Sequence, residues 1–318
     1  MNSKEIQNRI KGVKNTKQIT KAMEMVAASK MRKAIERVLT TRPYANLAWE
    51  MLNNLSGRVH PELHPLLKER KIKKICVVLI TSDRGLCGAM NTQVIQKAIK
   101  IIEEENAKIL EQENEEMFGE KKSLLDKQKL EIEFITVGKK GQDFIKKYFK
   151  ISAGFTGLES VSSLTEIIPI VKIIIEDYQK EIYDKIILVY TDFVSILEQK
   201  PKMKQLLPLQ CKNFQEASDK KKSLEQIEIN TIPQFEYKFE PSPDEILQEL
   251  LPKLLEIQLY QSMLESNASE HCSRMVTMKN ATDAAKDLID NLSMIFNQAR
   301  QASITQEIIE ISTGAQFI

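Results

Sequence analysis

Apolar positions in the last stretch of the chain, residues 242 to 318, recur with a helical period. Leu250, Leu254, Ile257, Leu264, Ala268, Met275, Met278, Leu288, Leu292, Ile295, Ala299 and Ala302 follow one another mostly in steps of three, four or seven. The spacing predicts one helix. Ser242-Pro243-Asp244-Glu245 reads as its start, with a serine cap, proline at the first helical position and a glutamate three residues past the cap. Thr313-Gly314 reads as its stop, since glycine takes the left-handed conformation that closes a helix. Pro252 interrupts the pattern near the beginning and predicts a kink or a late start. At 1.5 Å per residue such a helix runs to about 110 Å, against a radius of gyration of about 20 Å for a compact globule of this chain length. An elongated molecule follows, with this helix protruding or paired.

The first 55 residues carry a matching pattern. Ile6, Ile10, Val13, Thr20, Met23, Ala27, Ala34 and Val38 form a coiled-coil seam interrupted by Lys17 and Lys30. Asn2 with Glu5 resembles a capping box, and Gly12 and Pro43 are the only breakers before Gly57. Residues 1–42 carry 11 Lys or Arg against 3 Glu, whereas residues 243–318 carry 11 acids against 5 bases. Two long helices of opposite charge at the two chain ends predict a coiled coil. It is antiparallel if both leave the same globular middle, with Ala27, Ala28, Ala34, Ala268 and Ala281 allowing close approach. Two ordinary bundle helices folded back on a core are the alternative.

Residues 70–240 change character. Strands are expected over 72–81, 130–137 and 185–191, with helices over 91 to about 128, 139–148 and 164–178. That alternation predicts a parallel or mostly parallel α/β sheet. The charged stretch 103–129 reads as an exposed helical extension or insert, and 211–228 as a polar loop. Phe235 to Phe239 alternates as a last strand before Pro241. The organisation is thus an N-terminal helix over 1–57, an α/β domain over 70–240 and a C-terminal helix over 242–318.

The 318 residues have a net charge of only +2, which signals no nucleic-acid binder as a whole. Locally, the basic first helix fits either nucleic-acid phosphates or acidic loops of a protein, and the absence of aromatics for base stacking favours the protein. Cys76, Cys87, Cys211 and Cys272 form no C-x-x-C pair, and His60, His64 and His271 assemble no metal set. The N-terminus lacks the apolar core of a signal peptide, and no apolar run approaches 18 residues. A soluble or peripheral protein in a reducing compartment is expected. Ser82-Asp83-Arg84-Gly85-Leu86-Cys87-Gly88 and Gly138-Lys139-Lys140-Gly141 follow strands, where phosphate loops would lie, but match neither phosphate-binding glycine pattern. The sheet reads as a scaffold, Asp83 with Arg84 as a turn or an interface ion pair, and Cys87 as a small packed residue.

The segment Ile19-Thr20-Lys21-Ala22-Met23-Glu24-Met25-Val26-Ala27-Ala28-Ser29-Lys30-Met31-Arg32-Lys33 closely resembles the N-terminal helix of the γ subunits of F-type ATP synthases. Thr81 to Gly88 resembles that family's motif after the first strand of its globular domain. Arg274-Met275-Val276, Met278-Lys279, Ala281-Thr282-Asp283 and Ala299 to Glu307 resemble its C-terminal signature. The bacterial form is the nearest likeness. The resemblance covers the chain apart from about 103–129 and 211–232, which look like insertions.

This resemblance implies an antiparallel coiled coil of the terminal helices with an inserted Rossmann-like α/β domain, acting as a central rotor shaft. It implies a non-catalytic subunit with no cofactor, metal or nucleic acid of its own, ATP, ADP and Mg being bound by partner α and β subunits. The implied partners are the α and β ring, ε and the membrane c-ring. The implied location is peripheral, on the cytoplasmic face of the bacterial inner membrane, with no direct membrane insertion. Lys21, Met23 and Lys30 are expected at the acidic lever loop of β, and Arg274, Gln301, Thr305 and Glu307 at polar contacts with β. Ile308, Ile309, Ile311, Phe317 and Ile318 are expected in an apolar bearing. Asp83, Arg84 and Cys87 are expected to face ε or β. A stand-alone nucleotide-binding α/β protein with coiled-coil arms and a nucleic-acid-binding coiled coil are the competing functions.

Overall fold

The computed structural model describes residues 3–56, 64–116, 130–158, 163–196, 198–209 and 243–315. The elements run α1 (Ser3–Ser56), β1 (Lys74–Ile80), α2 (Met90–Glu116), β2 (Glu131–Val137), α3 (Lys139–Ile145), β3 (Lys150–Phe155), α4 (Ile168–Gln179), β4 (Lys185–Phe193), β5 (Gln199–Leu207) and α5 (Pro243–Ala315). The expected strand over 235–239, the loop over 211–228, the end of the 103–129 extension, the Ser242 cap, His60, Phe317 and Ile318 lie outside the described residues. The chain forms two compact units. One comprises residues 1–32, 86–88 and 271–318, and the other 33–85 and 89–270.

In the second unit the sheet order is β3-β2-β1-β4-β5. Strand β1 runs parallel to both β2 and β4, β2 parallel to β3, and β5 antiparallel to β4. Strand β1 is buried on both faces. Cys76, Val78 and Ile80 meet α4 and the start of α5, while Ile75, Val77 and Leu79 meet α2 and α3. A strand covered on both sides needs a continuous apolar run, which Ile75–Ile80 supplies. Strands β3 and β5 were not expected. Both are edges: β3 alternates exposed and half-buried residues, and β5 carries Lys200, Lys202, Lys204 and Pro201. Charges and proline are what an edge strand tolerates, and they mask it in the sequence.

Helix α5 includes Pro252 and begins at Pro243, so the late start is corrected. The proline lacks the N–H that would bond to the carbonyl of Gln248, an exposed residue. The expected stop at Gly314 is also passed, since α5 continues to Ala315. Along the part of α5 in the second unit, every residue from 257 to 270 except half-buried Tyr260 is buried.

The first unit is the antiparallel helix pair with the loop 86–88. Along α1 a seam of covered positions runs through Ile6, Ile10, Val13, Lys17, Thr20, Glu24, Ala27 and Met31 in alternating steps of four and three, with half-buried Met23 and Ala28 beside it. Along α5 they are Met275, Met278, Thr282, Ala285, Ile289, Leu292, Phe296 and Ala299. Both are heptad seams. They differ from the sequence reading by one residue in four places: Glu24 shares the seam position with half-buried Met23, Met31 takes the one beside exposed Lys30, Ile289 the one beside Leu288, and Phe296 the one beside Ile295. Leu288 and Ile295 are 48 % and 44 % exposed. Thr282 donates to Thr20 at 2.8 Å between buried hydroxyls, which fixes the register of the pair.

At the end of β2 the backbone turns through Gly138, with φ +99° and an ideal Cβ only 2.1 Å from the Thr81 carbonyl oxygen. No side chain fits there. Gly138→Ala is expected to lower stability by about 3 kcal/mol or more, read as a fall in the urea midpoint.

Candidate functional site

Two regions are candidate functional surfaces: the loops at the carboxyl ends of β1 and β2, and the outward faces of the helix pair. In α/β sheets ligands bind at strand carboxyl ends, and helix N-termini there attract phosphate. The first turn of α3 has no N–H left for one. Lys139 N donates to Asp83 Oδ1 at 2.8 Å, Lys140 N to the Ser82 carbonyl at 3.1 Å, and Gly141 N to Thr81 Oγ1 at 2.9 Å. The second Asp83 oxygen accepts from Gly157 N at 2.8 Å. The carboxylate thus sits where an anion would bind and holds two loops together. Asp83 belongs to a turn, the first of its two expected readings.

Ser82 is fixed by Asn91, whose Oδ1 accepts from Ser82 N at 3.1 Å and whose Nδ2 donates to Ser82 Oγ at 2.7 Å. Arg84 is exposed. In the first unit, the Cys87 side chain is 2 % exposed while Leu86 is 59 % exposed. Ser273 Oγ donates to the Cys87 carbonyl at 2.6 Å, pinning the loop against α5. The thiol is therefore packed inside, and Leu86 is what this loop turns outward. Among the described residues no group of three metal-ligating side chains occurs, and no helix is long and apolar enough to cross a membrane.

On α1, nine of the eleven cations are exposed, Lys17 and Arg42 being half-buried. Lys21 is exposed and pairs along its own helix with Glu24 at 3.0 Å, Met23 is half-buried, and Lys30 is exposed. Ile19, Met25 and Val26, at 61 %, 58 % and 58 % exposed, surround them and were not singled out in the sequence. Their signal was available: they are large apolar residues off the seam register. Lys30 and Arg274, expected at separate contacts, both act on His271.

The far end of α5 is different. Seventeen residues separate Ser3 from Thr20, and the same distance along α5 from Thr282 ends at Ala299. From Arg300 onward α5 overhangs its partner. All residues from 300 to 313 are exposed, Gln301, Thr305 and Glu307 among them. Ile304, Ile308, Ile309 and Ile311 are 47 %, 61 %, 50 % and 73 % exposed. Several bare isoleucines on one helix form an exposed apolar surface.

Buried His271 gives the helix pair a pH response. Burial, then the positive charges of Arg274 and Lys30, push its imidazole from 6.5 down to about 4. The unfolded chain therefore takes up this proton first as pH falls. Stability from the neutral imidazole is complete above pH 6.5 and is lost on acidification toward 4. Thermal melts from pH 7 to 4 should show a falling Tm that His271→Gln flattens. Asp83→Ala, which leaves two backbone N–H groups without their acceptor, should lower stability by about 1–3 kcal/mol in chemical denaturation.

The sequence model of the ATP synthase family matches residues 2–317, through both stretches that looked like insertions. The ATP synthase gamma chain of Heliobacterium modesticaldum is 40 % identical over 313 residues, covering 98 % of this chain and 97 % of its own. That of Chloroflexus aurantiacus is 38 % identical over 317 residues, with the same shares covered. A chain of the Euglena gracilis mitochondrial ATP synthase rotor has the same fold, with a TM-score of 0.59 at 17 % identity over 95 % of this chain and 98 % of its own. A basic helix, a sheet whose anion position is filled from within, a bare helical overhang and a match along nearly the full length agree: the chain belongs to the ATP synthase gamma-chain family.

Proposed function

We propose that the chain is the central rotor shaft of an F-type ATP synthase, coupling transmembrane ion flow to ATP synthesis or hydrolysis on β subunits. The observation that carries this reading is the overhang from Arg300, a stiff helix bare on every side and rich in isoleucine. Alone it is exposed apolar surface. Inside a ring of subunits it is a bearing, with Ile308, Ile309, Ile311, Phe317 and Ile318 against the ring and Gln301, Thr305 and Glu307 in polar contact with β. Arg274 joins those contacts from lower on the helix.

The basic face of α1, with Lys21, Met23 and Lys30, meets an acidic lever loop of β. Ile19, Met25 and Val26 extend that contact. Arg84 and Leu86 face ε or β. The faces of the pair are chemically unlike, so each β subunit meets a different surface at each angle. Differential contact biases its conformational equilibrium without any chemistry on the shaft. In this reading the chain is not a catalyst. ATP, ADP and Mg are held by α and β, the c-ring lies below, and the protein is peripheral on the cytoplasmic face of the bacterial membrane. The nucleotide-enzyme alternative is disfavoured by the occupied first turn of α3.

Affinity purification of the tagged full-length chain is expected to recover α- and β-like ATPase subunits in stoichiometric amounts, and recovery without them would count against the rotor. In reconstituted vesicles, Lys21→Glu is expected to lower ATP-driven ion pumping more than ATP hydrolysis. An unchanged ratio would remove Lys21 from the lever contact.

A further inference from the structure

A rotor helix must be held against turning about its own axis, and apolar packing alone does that poorly. The hydrophobic effect is proportional to area and has no direction. Where α1 meets α5 in the second unit the buried apolar residues are Ala34, Val38, Leu264 and Ala268, two of them alanine, with half-buried Ile35, Phe193 and Tyr260 packed against them. The two alanines offer little purchase against rotation.

One carboxylate at the same level provides direction. Glu265 on α5 is 5 % exposed. Its Oε2 accepts from the hydroxyl of Tyr190 on β4 at 3.0 Å. Its Oε1 faces Arg42 of α1 at 3.4 Å and accepts from Gln261, one turn earlier on α5, at 3.0 Å. The Tyr190 ring is itself fixed, fully buried under the Lys204 ammonium of β5, which lies 5.1 Å from its centre. One turn on, Ser269 Oγ reaches the Thr191 carbonyl at 3.4 Å. Hydrogen bonds weaken steeply with misalignment, so these contacts resist a rotation that the alanines permit.

We propose that Glu265 is a positioning residue that keys both shaft helices to strand β4, so that torque passes between shaft and sheet at this carboxylate. The proposal rests on the rotor reading. It assigns the buried polar side chains of α5 a mechanical purpose beyond stability. Buried ion sets exchanged for apolar groups of similar volume frequently keep or gain stability, which separates the two purposes.

The test uses the assembled ATPase in ion-tight vesicles, carrying the native chain, Tyr190→Phe, or the triple replacement R42M/E265L/Y190F. Hydrolysis and ATP-driven pumping are measured together against an imposed ion gradient. Loss of assembled complex lowers both alike, whereas a slipping joint lowers only the ions pumped per ATP. The triple variant is expected to keep its Tm and its hydrolysis and to lose several-fold in that ratio, with a smaller loss in Tyr190→Phe. A folded triple variant with the native ratio overturns the proposal. Should the triple variant fail to assemble, a native ratio in Tyr190→Phe overturns it and a lowered one supports it. A native chain that assembles but does not pump overturns the rotor reading instead.

Discussion

The backbone hydrogen-bond ladder of α5 is the constraint on which the other elements depend. Helix α5 is 73 residues long, and within each unit each side chain's direction is set by its distance along the helix from the others. Its neighbours nevertheless change along its length. Between 257 and 270 it is covered almost all round, from 275 to 299 on one seam, and from 300 to 313 not at all. No single apolar stripe suits all three settings. The sequence changes with them: serine, asparagine, glutamine and glutamate in the covered belt, a heptad of small and apolar residues along the seam, and isoleucines on the overhang.

The electrostatics follow the same division. The two chain ends have opposite net charge, which suggested mutual neutralisation. Instead most cations of α1 face solvent, and Lys21 bonds within its own helix. Exposed pairs of this kind contribute little to stability. The basic excess is available to attract an acidic partner at long range, an effect that added salt weakens. Cohesion of the helices rests on the seam and on a few buried polar contacts, such as Thr20 with Thr282.

Much of this was legible in the sequence, and the failures have physical causes. The continuous run Ile75–Ile80 announced a strand buried on both faces. The long helices were visible because nothing between Pro252 and Gly314 breaks α5. Both breakers were read too literally, for an established ladder carries a proline in its early turns and a glycine in its last. The seam slipped by one at Leu288 and Ile295 because each stands directly before another apolar residue, Ile289 and Phe296, that takes the seam position, and at Lys30 because Met31 beside it was passed over. The edges β3 and β5 hid behind lysines and a proline. Arg84 and the overhang isoleucines were named from the resemblance; exposed Leu86 was not, and neither was the role of Asp83. It depends on a loop 56 residues away and another 74 away, and sequence spacing carries no trace of either.

That carboxylate has a consequence for anion binding. The strand carboxyl ends of an open α/β sheet are where ligands and phosphates settle. A tethered group acts at an effective concentration in the millimolar range or above, set by the chain and not by the cell. Asp83 is therefore a resident competitor that no change in cellular phosphate can wash out.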